Sequence, residues 1–349
     1  MQEVSNSLKV LSENDKADDE EVEIEVPTPE QFLKHLLQEG PKYPHDERPK
    51  YKGDKNDLPN FYNEIMFKKG QEFFHKNITG VFLGCYLALF AGFSQPFAKI
   101  LLMTNKSSTP MTAYKRYSAT ILHMCTWYDS DFEPGSKLWS SINKVRTVHR
   151  SVKKKILSKA DLRLTQYEMS AVIFAFMGLP VISSEMIGIH NPSEHEINCF
   201  IHFWRVIGYL LGIKNKFNIC RNSVEETKKI CTLLVQRDLI PKFRAGRTEI
   251  DFEILSRAFV EGARCILPVK LSCSHIIDYL NMLVYSIEDG ETFEKQTSTE
   301  KSIHEFNILS YLVWALKYSF GRFVLNQILR IAIWSLRIFP VLGYLKFKI

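Results

Sequence analysis

The side chains best suited to chemistry lie between residues 112 and 150, in two sets separated by a turn. The members of the first set are spaced i, i+4, i+7 and i+11: Arg116, Thr120, His123 and Trp127. A single helix would carry all four on one face. The second set is Arg146 and His149, three residues apart and again on one face of a helix. The breaker-rich segment 129–135 between the sets indicates a loop. The pattern therefore predicts a helix, a loop and a second helix, with a cation on each helix.

The two sets contain the groups that a haem site needs. A buried arginine is costly unless an anion meets it, and porphyrin carries two propionates. An imidazole close to an arginine tends to stay neutral, and neutral imidazole is the form that binds iron. Helical bundles commonly hold such cofactors between facing helices. A single histidine on a helix is, however, far more often an ordinary packed or exposed residue, so spacing alone leaves both readings open.

The elements that must position these residues are predicted to be helical throughout. Sustained alternation of apolar and polar residues is absent, and no Asn-Gly or Asp-Gly turn joins two apolar runs. Amphipathic or apolar helices are expected at 29–39, after 61, at 165–180, and after the capping sequences that begin at Ser193 and Ser223. The last of these helices is expected to stop at Pro241. The fold class is therefore all-α.

Charge divides the chain into three parts. The whole sequence carries a net charge of +6, but residues 1–60 hold 8 Lys and Arg against 15 Asp and Glu. We expect this segment to be largely disordered, with a short helix at 29–39 and an extended linker at 40–60. Residues 61–305 form the expected helical domain, and 306–349 an amphipathic tail that has basic but no acidic residues. Nucleic acid is not an expected partner, because the sequence has no zinc finger, RNP-type stretch or basic-region helix.

Two segments suggest contact with a membrane. Residues 78–98 are uncharged, and 21 residues are enough to cross a hydrocarbon core. The alternative is a buried helix that breaks at Pro96. The basic, aromatic tail at 306–349 suits an interfacial helix on an anionic membrane, although it also suits terminal helices packed on the body. Seven scattered cysteines without a CxxC pair favour a folded part that faces the cytosol.

The order of these motifs resembles the DUF2236 family, which contains the latex-clearing (rubber) oxygenases and the membrane-bound oxygenase of mycophenolic-acid biosynthesis. The family pattern has an arginine, a threonine four residues later and a VRxxH motif further along, matched here by Arg116, Thr120 and the run 145–149. Residues 165–178 and 202–213 look like later family helices. The resemblance covers roughly residues 60–245. Within the family, the sequence looks most like the insect members.

The resemblance implies a globin-like helical bundle around haem b, in a membrane-associated protein such as one of the endoplasmic reticulum. His149 would be the proximal iron ligand, Arg116 and Thr120 would line the pocket and carry catalysis, and Arg116 and Arg146 would help to hold the cofactor. The implied activity is O2-dependent oxidative cleavage of a lipophilic, isoprenoid-like substrate. The chain departs from the pattern at Ala119, where latex-clearing enzymes carry a lysine. It departs again at 174–178, which lacks a histidine.

Two other functions fit the same residues. The first is a helical protein that binds a lipid or terpenoid without catalysis, without iron and without O2 uptake. The second is a membrane scaffold in which Arg116 and Arg146 are structural cations paired with nearby carboxylates. Ala119 favours these alternatives, whereas the arginine, the threonine and the VRxxH motif favour the oxygenase.

Overall fold

The computed structural model describes residues 27–46, 48–156, 164–266, 271–289 and 308–347. These residues are helical wherever their structure is regular, and one isolated bridge joins Pro44 to Thr165, so the all-α prediction is confirmed. We number the helices in chain order: α1 Pro29–Glu39, α2 Glu64–Lys76, α3 Ile78–Gly92, α4 Ala98–Met103, α5 Pro110–Tyr128, α6 Lys137–Ile156, α7 Gln166–Ile182, α8 Glu194–Leu210, α9 Val224–Leu234, α10 Ile240–Gly246, α11 Ile250–Ala263, α12 Cys273–Asp289, α13 Ile308–Lys317, α14 Ser319–Ile338 and α15 Val341–Phe347.

Local sequence explains where the site-bearing helices begin and end. The side chain of Thr109 accepts a hydrogen bond from the Thr112 amide, and Pro110 follows at the first turn, so α5 starts there. Helix α5 ends at Tyr128 and α6 begins at Lys137, as the breaker-rich segment between them predicts. The capping box predicted at Ser193 is present at the start of α8, with both of its hydrogen bonds to Glu196.

Close packing of α2 against α8 anchors the core. Gly70 makes this approach possible, because a Cβ there would lie 2.6 Å from the Cys199 carbonyl oxygen. Behind this contact, aromatic rings stack: Tyr128 of α5 lies parallel to Phe203 of α8, with ring centroids 4.2 Å apart. Trp204, the residue after Phe203, is fully buried. The end of α5 is thereby fixed against α8, which orients the polar face of α5.

The segment before residue 60 differs in part from the linker predicted for it. Helix α1 spans 29–39 as expected and buries Phe32, Leu33 and Leu36. Residues 40–46 and 48–60 are not a free linker, because His45 and Asp46 are buried against the body. The composition was misleading because the charge of Asp46 is neutralised by a distant partner on α6. The predicted disorder of residues 1–26 lies outside the described residues.

The sequence singles out two prolines as points where a helix breaks, and their outcomes differ. Helix α3 is largely buried and ends at Gly92, and Pro96 lies in the break before α4, as the buried-helix alternative expects within a few residues. Pro241 does not stop the chain's helical path, because a π-helical turn at Val235–Leu239 leads directly into α10. Among the described helices, none alone has the length and apolarity to cross a membrane. Two sharply bent pairs, α2 with α3 and α13 with α14, reach that length and apolarity only together.

Candidate functional site

One large cavity collects the polar residues that the sequence singles out. Its volume is about 1340 Å³, above the roughly 300–1,000 Å³ of typical small-molecule pockets. Its walls come from most of the helices between α3 and α14, and most of the residues that line it are apolar. Both predicted constellations contribute to this wall, through Arg116 and Thr120 on α5 and through His149 on α6. The arrangement suits a large, mainly apolar ligand.

His149 has the properties of a metal-binding imidazole. Its Nδ1 atom is buried and, among the described residues, has no hydrogen-bond partner. Burial lowers its pKa to about 4, and the nearby positive charge of Arg116 acts in the same direction. The side chain keeps part of its surface accessible and lines the cavity. At neutral pH, His149 therefore presents an uncharged imidazole to an apolar space.

Helix α5 carries the first set of polar residues into the same cavity. Arg116, Thr120, His123 and Trp127 all line the cavity. Thr120 donates its hydroxyl hydrogen to the Arg116 carbonyl oxygen at 3.2 Å, and an Arg116 guanidinium nitrogen reaches the Thr104 hydroxyl at 3.4 Å. His123 and the Trp127 indole nitrogen instead share the Ser141 hydroxyl of α6, at 2.7 and 2.8 Å. Of the two cavity histidines, His149 is thus the one whose ring nitrogen is buried without a partner in the described part.

Arg116 is a cation without an acidic partner in the part of the chain that the structure describes. Within the described residues, no carboxylate lies within ion-pair distance of it. Burial lowers the pKa of its guanidinium, because it disfavours the charged form. Such a cation is stabilised when an anionic group of a ligand reaches it.

The charged residues described on the cavity wall are all basic. The described residues that line the cavity include no aspartate and no glutamate, but five of them are basic: Lys106, Lys115, Arg116, Lys144 and Arg264. An apolar space with a cationic wall favours an amphiphile whose polar end is negatively charged. Porphyrin propionates, fatty-acid carboxylates and lipid phosphates share that chemistry.

Arg146, the remaining predicted site residue, is placed away from the cavity wall. It is 2% exposed, and its guanidinium forms two hydrogen bonds with Asp46, at 2.9 and 2.8 Å. The same group donates to the Arg48 carbonyl oxygen at 3.0 Å and lies over the Tyr51 ring. Arg146 therefore joins the segment around residue 46 to α6, which is a positioning role and not direct contact with a cavity ligand.

That attachment brings a second imidazole to the site, which sequence reasoning missed. His45 is fully buried, and its ring meets the His149 ring edge-on, with centroids 5.9 Å apart. The positive potential of His45 contributes to the lowered pKa of His149. The adjacent Asp46 fixes His45 in place through its ion pair with α6. No local motif marks this pairing, because about a hundred residues separate the two histidines in the chain.

Two further walls of the cavity also have no signature in the local sequence. The π-helical turn contributes Val235 and Leu239, and the carbonyl of Leu239 accepts a hydrogen bond from Gln95 at 3.3 Å. Helices α13 and α14, which we call the C-terminal hairpin, contribute Leu309, Leu312 and Leu329, among others. The predicted tail is thus part of the cavity and does not stand apart from it.

Comparisons of the chain with models of known families, with curated proteins and with solved structures find no match. The resemblance to a family therefore rests on the sequence motifs, which are Arg116, Thr120, the run 145–149 and the later segments 165–178 and 202–213, and it stays a prediction. What the structure adds is the position of those residues around one apolar cavity.

Proposed function

We propose that this protein is a haem-dependent oxygenase of the rubber-oxygenase type, which uses O2 to cleave a lipophilic, isoprenoid-like substrate. The observation that carries the proposal is His149, a neutral imidazole beside an apolar cavity, whose buried Nδ1 has no hydrogen-bond partner among the described residues. A buried polar atom without a partner is uncommon in folded proteins and often marks a ligand contact. The order of Arg116, Thr120 and the VRxxH motif adds independent support from the sequence.

The residues present fit haem b as the cofactor. The cavity has room for a porphyrin and for part of a substrate, and its apolar wall suits the faces of the ring. His149 would bind the iron, and Arg116 with neighbouring wall cations such as Lys144 would meet the propionates. Arg146 would act indirectly, by holding α6 in place. Bound haem would supply the iron centre at which O2 is activated.

The chain's own groups would orient the reactants and exclude water. Arg116 brings positive charge to the wall, and Thr120 brings a hydroxyl one helical turn away. We assign these two residues the role of positioning the oxygen or the polar end of the substrate. The apolar side chains around them would keep bulk water from the reacting groups. Ala119, at the place of the family's lysine, supplies no amine at that position of α5.

A non-catalytic protein that binds a lipid or terpenoid is the second candidate. Ala119 favours it, because the group that serves as distal ligand in latex-clearing enzymes is missing. The membrane-scaffold alternative, in which both arginines pair with carboxylates, fits one arginine and not the other. Arg146 is paired with a carboxylate, as a structural cation would be, whereas no described carboxylate pairs with Arg116. We therefore favour a ligand that brings its own anion to Arg116.

The optical spectrum of the purified protein, reconstituted with haem, tests the proposal. We expect a Soret band that His149→Ala abolishes or shifts, and that added imidazole restores by entering the space left by the side chain. His123→Ala is the matched control, because His123 lines the same cavity but its ring nitrogen is already bonded to Ser141. The control should keep the band, and circular dichroism should show that both variants remain helical.

Three results would separate the candidates. A folded protein that stays colourless after haem supplementation would exclude the oxygenase, and tight binding of a fluorescent fatty acid by that protein would then support the lipid-binding candidate. A Soret band that His149→Ala leaves unchanged would contradict the role of this residue. Oxygen consumption with an isoprenoid substrate, measured on the haem-loaded protein, would distinguish an active oxygenase from a haem carrier.

A further inference from the structure

Helix α14 is apolar on two opposite faces, and only one of them is covered. Its inner face buries Leu329, Ile333 and Leu336. The opposite face is exposed, and its large apolar residues recur at helical spacing: Phe320, Phe323, Val324, Ile331, Trp334 and Ile338. Phe320 is 78% exposed and Trp334 is 62% exposed. An apolar stripe on a helix normally packs against another apolar surface, so the outer face of α14 needs a partner.

The neighbouring helices extend this exposed surface. Tyr311 and Trp314 of α13, and Tyr318 between α13 and α14, are all more than half exposed. Beyond α14, Phe339 and Leu345 are also exposed. Scattered apolar residues on a protein surface need no explanation, but a continuous patch of this kind marks an interaction site. We call this patch the aromatic face.

The charge around the aromatic face is positive. Residues 306–349 include Lys317, Arg322, Arg330, Arg337 and Lys346 but no aspartate or glutamate. Arg337 forms an ion pair with Asp129 of α5, and Arg330 donates to the His75 carbonyl oxygen, so these two cations hold the hairpin to the body. The aromatic face thus lies on a firmly attached element with a basic margin.

The geometry points to the aromatic face as a docking surface for an anionic phospholipid bilayer. Exposed tryptophan and tyrosine are typical of the membrane–water interface, where their rings have one apolar and one polar environment. The basic margin complements anionic head groups. Every charged residue of the hairpin itself is basic, and exposed tryptophan and tyrosine beside such charges match the interface of an anionic bilayer, so we commit to the lipid surface.

Docking in this position would connect the bilayer with the cavity. Three residues of the hairpin, Ile308, Tyr311 and Ile328, line the cavity and are also exposed, so the two surfaces are continuous. A lipophilic molecule dissolved in the bilayer would reach the cavity along the hairpin without crossing water. This route rests on the proposed function, whereas the docking itself does not depend on haem.

Vesicle flotation of the full-length protein tests the docking. We expect binding to vesicles of phosphatidylcholine with roughly a third phosphatidylserine, and weaker binding to phosphatidylcholine alone. The variant Ile331→Glu with Trp334→Glu should lower the partition coefficient by about tenfold or more. The matched control is Ile65→Glu with Ile250→Glu, which changes two residues that are 69% and 63% exposed on α2 and α11. The control should bind like the wild type.

Several outcomes would overturn the inference. Equal binding by the aromatic-face variant and the wild type would exclude this surface, as would the absence of vesicle binding by the wild type. A dimer in solution that the same variant dissociates, seen by light scattering, would assign the face to a second copy of the chain. The Soret band of the haem-loaded variant in detergent reports on the cavity separately, so failure of docking and failure of the proposed function can be distinguished.

Discussion

Asp46 is the position where a single substitution should most damage the candidate site from outside the cavity. Its side chain is fully buried and accepts two hydrogen bonds from Arg146 and one from Arg150. It also accepts one from the Arg48 backbone amide, at 3.3 Å. Asp46→Ala would leave the Arg146 guanidinium, 2% exposed, without its counter-charge.

The expected cost follows from that uncompensated charge. Removing one partner of a buried ion pair typically costs about 3–5 kcal/mol. Arg146 would keep the Arg48 carbonyl, at 3.0 Å, and the face of the Tyr51 ring, so we expect the lower end of that range, about 3 kcal/mol. Urea denaturation followed by circular dichroism measures the free energy of unfolding directly.

Two further variants determine whether the ion pair is the cause. Glu253→Ala removes an exposed i,i+4 partner of Arg257 on α11 and should cost less than about 0.5 kcal/mol. Arg146→Met added to Asp46→Ala removes the stranded cation, so it should recover much of the lost stability. A loss below about 1 kcal/mol for Asp46→Ala alone, or no recovery in the double variant, would refute the reasoning.

Three other predictions follow from the same geometry. His202 is buried and its pKa is lowered to about 4, so stability should be full above about pH 6.5 and fall as pH drops to 4, by on the order of 3 kcal/mol. His202→Gln should remove this contribution and reduce the slope of the unfolding free energy in that window, where His149 keeps its own contribution; an unchanged slope would contradict it. Gly70→Ala should lower stability by about 1–3 kcal/mol because its Cβ would meet the Cys199 carbonyl, whereas thermal melts of Gly92→Ala should stay near the wild type. Arg116→Met should leave the ligand-free protein within about 1 kcal/mol of the wild type but weaken haem retention in a titration, and equal retention would remove Arg116 from the site.

Much of the local structure was predictable because it depends on neighbours in the chain. The helical segment predicted to carry Arg116, Thr120, His123 and Trp127 is present as α5, and all four residues contribute to the lining of the cavity. The loop before α6 and the cap at Ser193 are also local, since a turn or a cap needs only a few adjacent residues.

The same reasoning failed where a distant residue changes the meaning of a local one. Residues 40–60 look like a linker by composition, but Asp46 is neutralised by an arginine a hundred residues away. Pro241 looks like a helix stop, but a π-helical turn precedes it and Pro241 lies in the first turn of α10, where a proline is tolerated. Neither outcome has a signal in the nearby sequence.

The sequence by itself determined the helical class, the polar face of α5 and the basic, aromatic character of the C-terminal hairpin, because periodicity and composition are properties of short segments. Only the tertiary structure decided that Arg146 forms an ion pair with Asp46, that the His45 ring contacts the His149 ring, and that the hairpin forms a wall of the cavity. The physical reason is that burial and charge pairing depend on which segments come together in space. A buried charge or an apolar face acquires its role only from the group that packs against it.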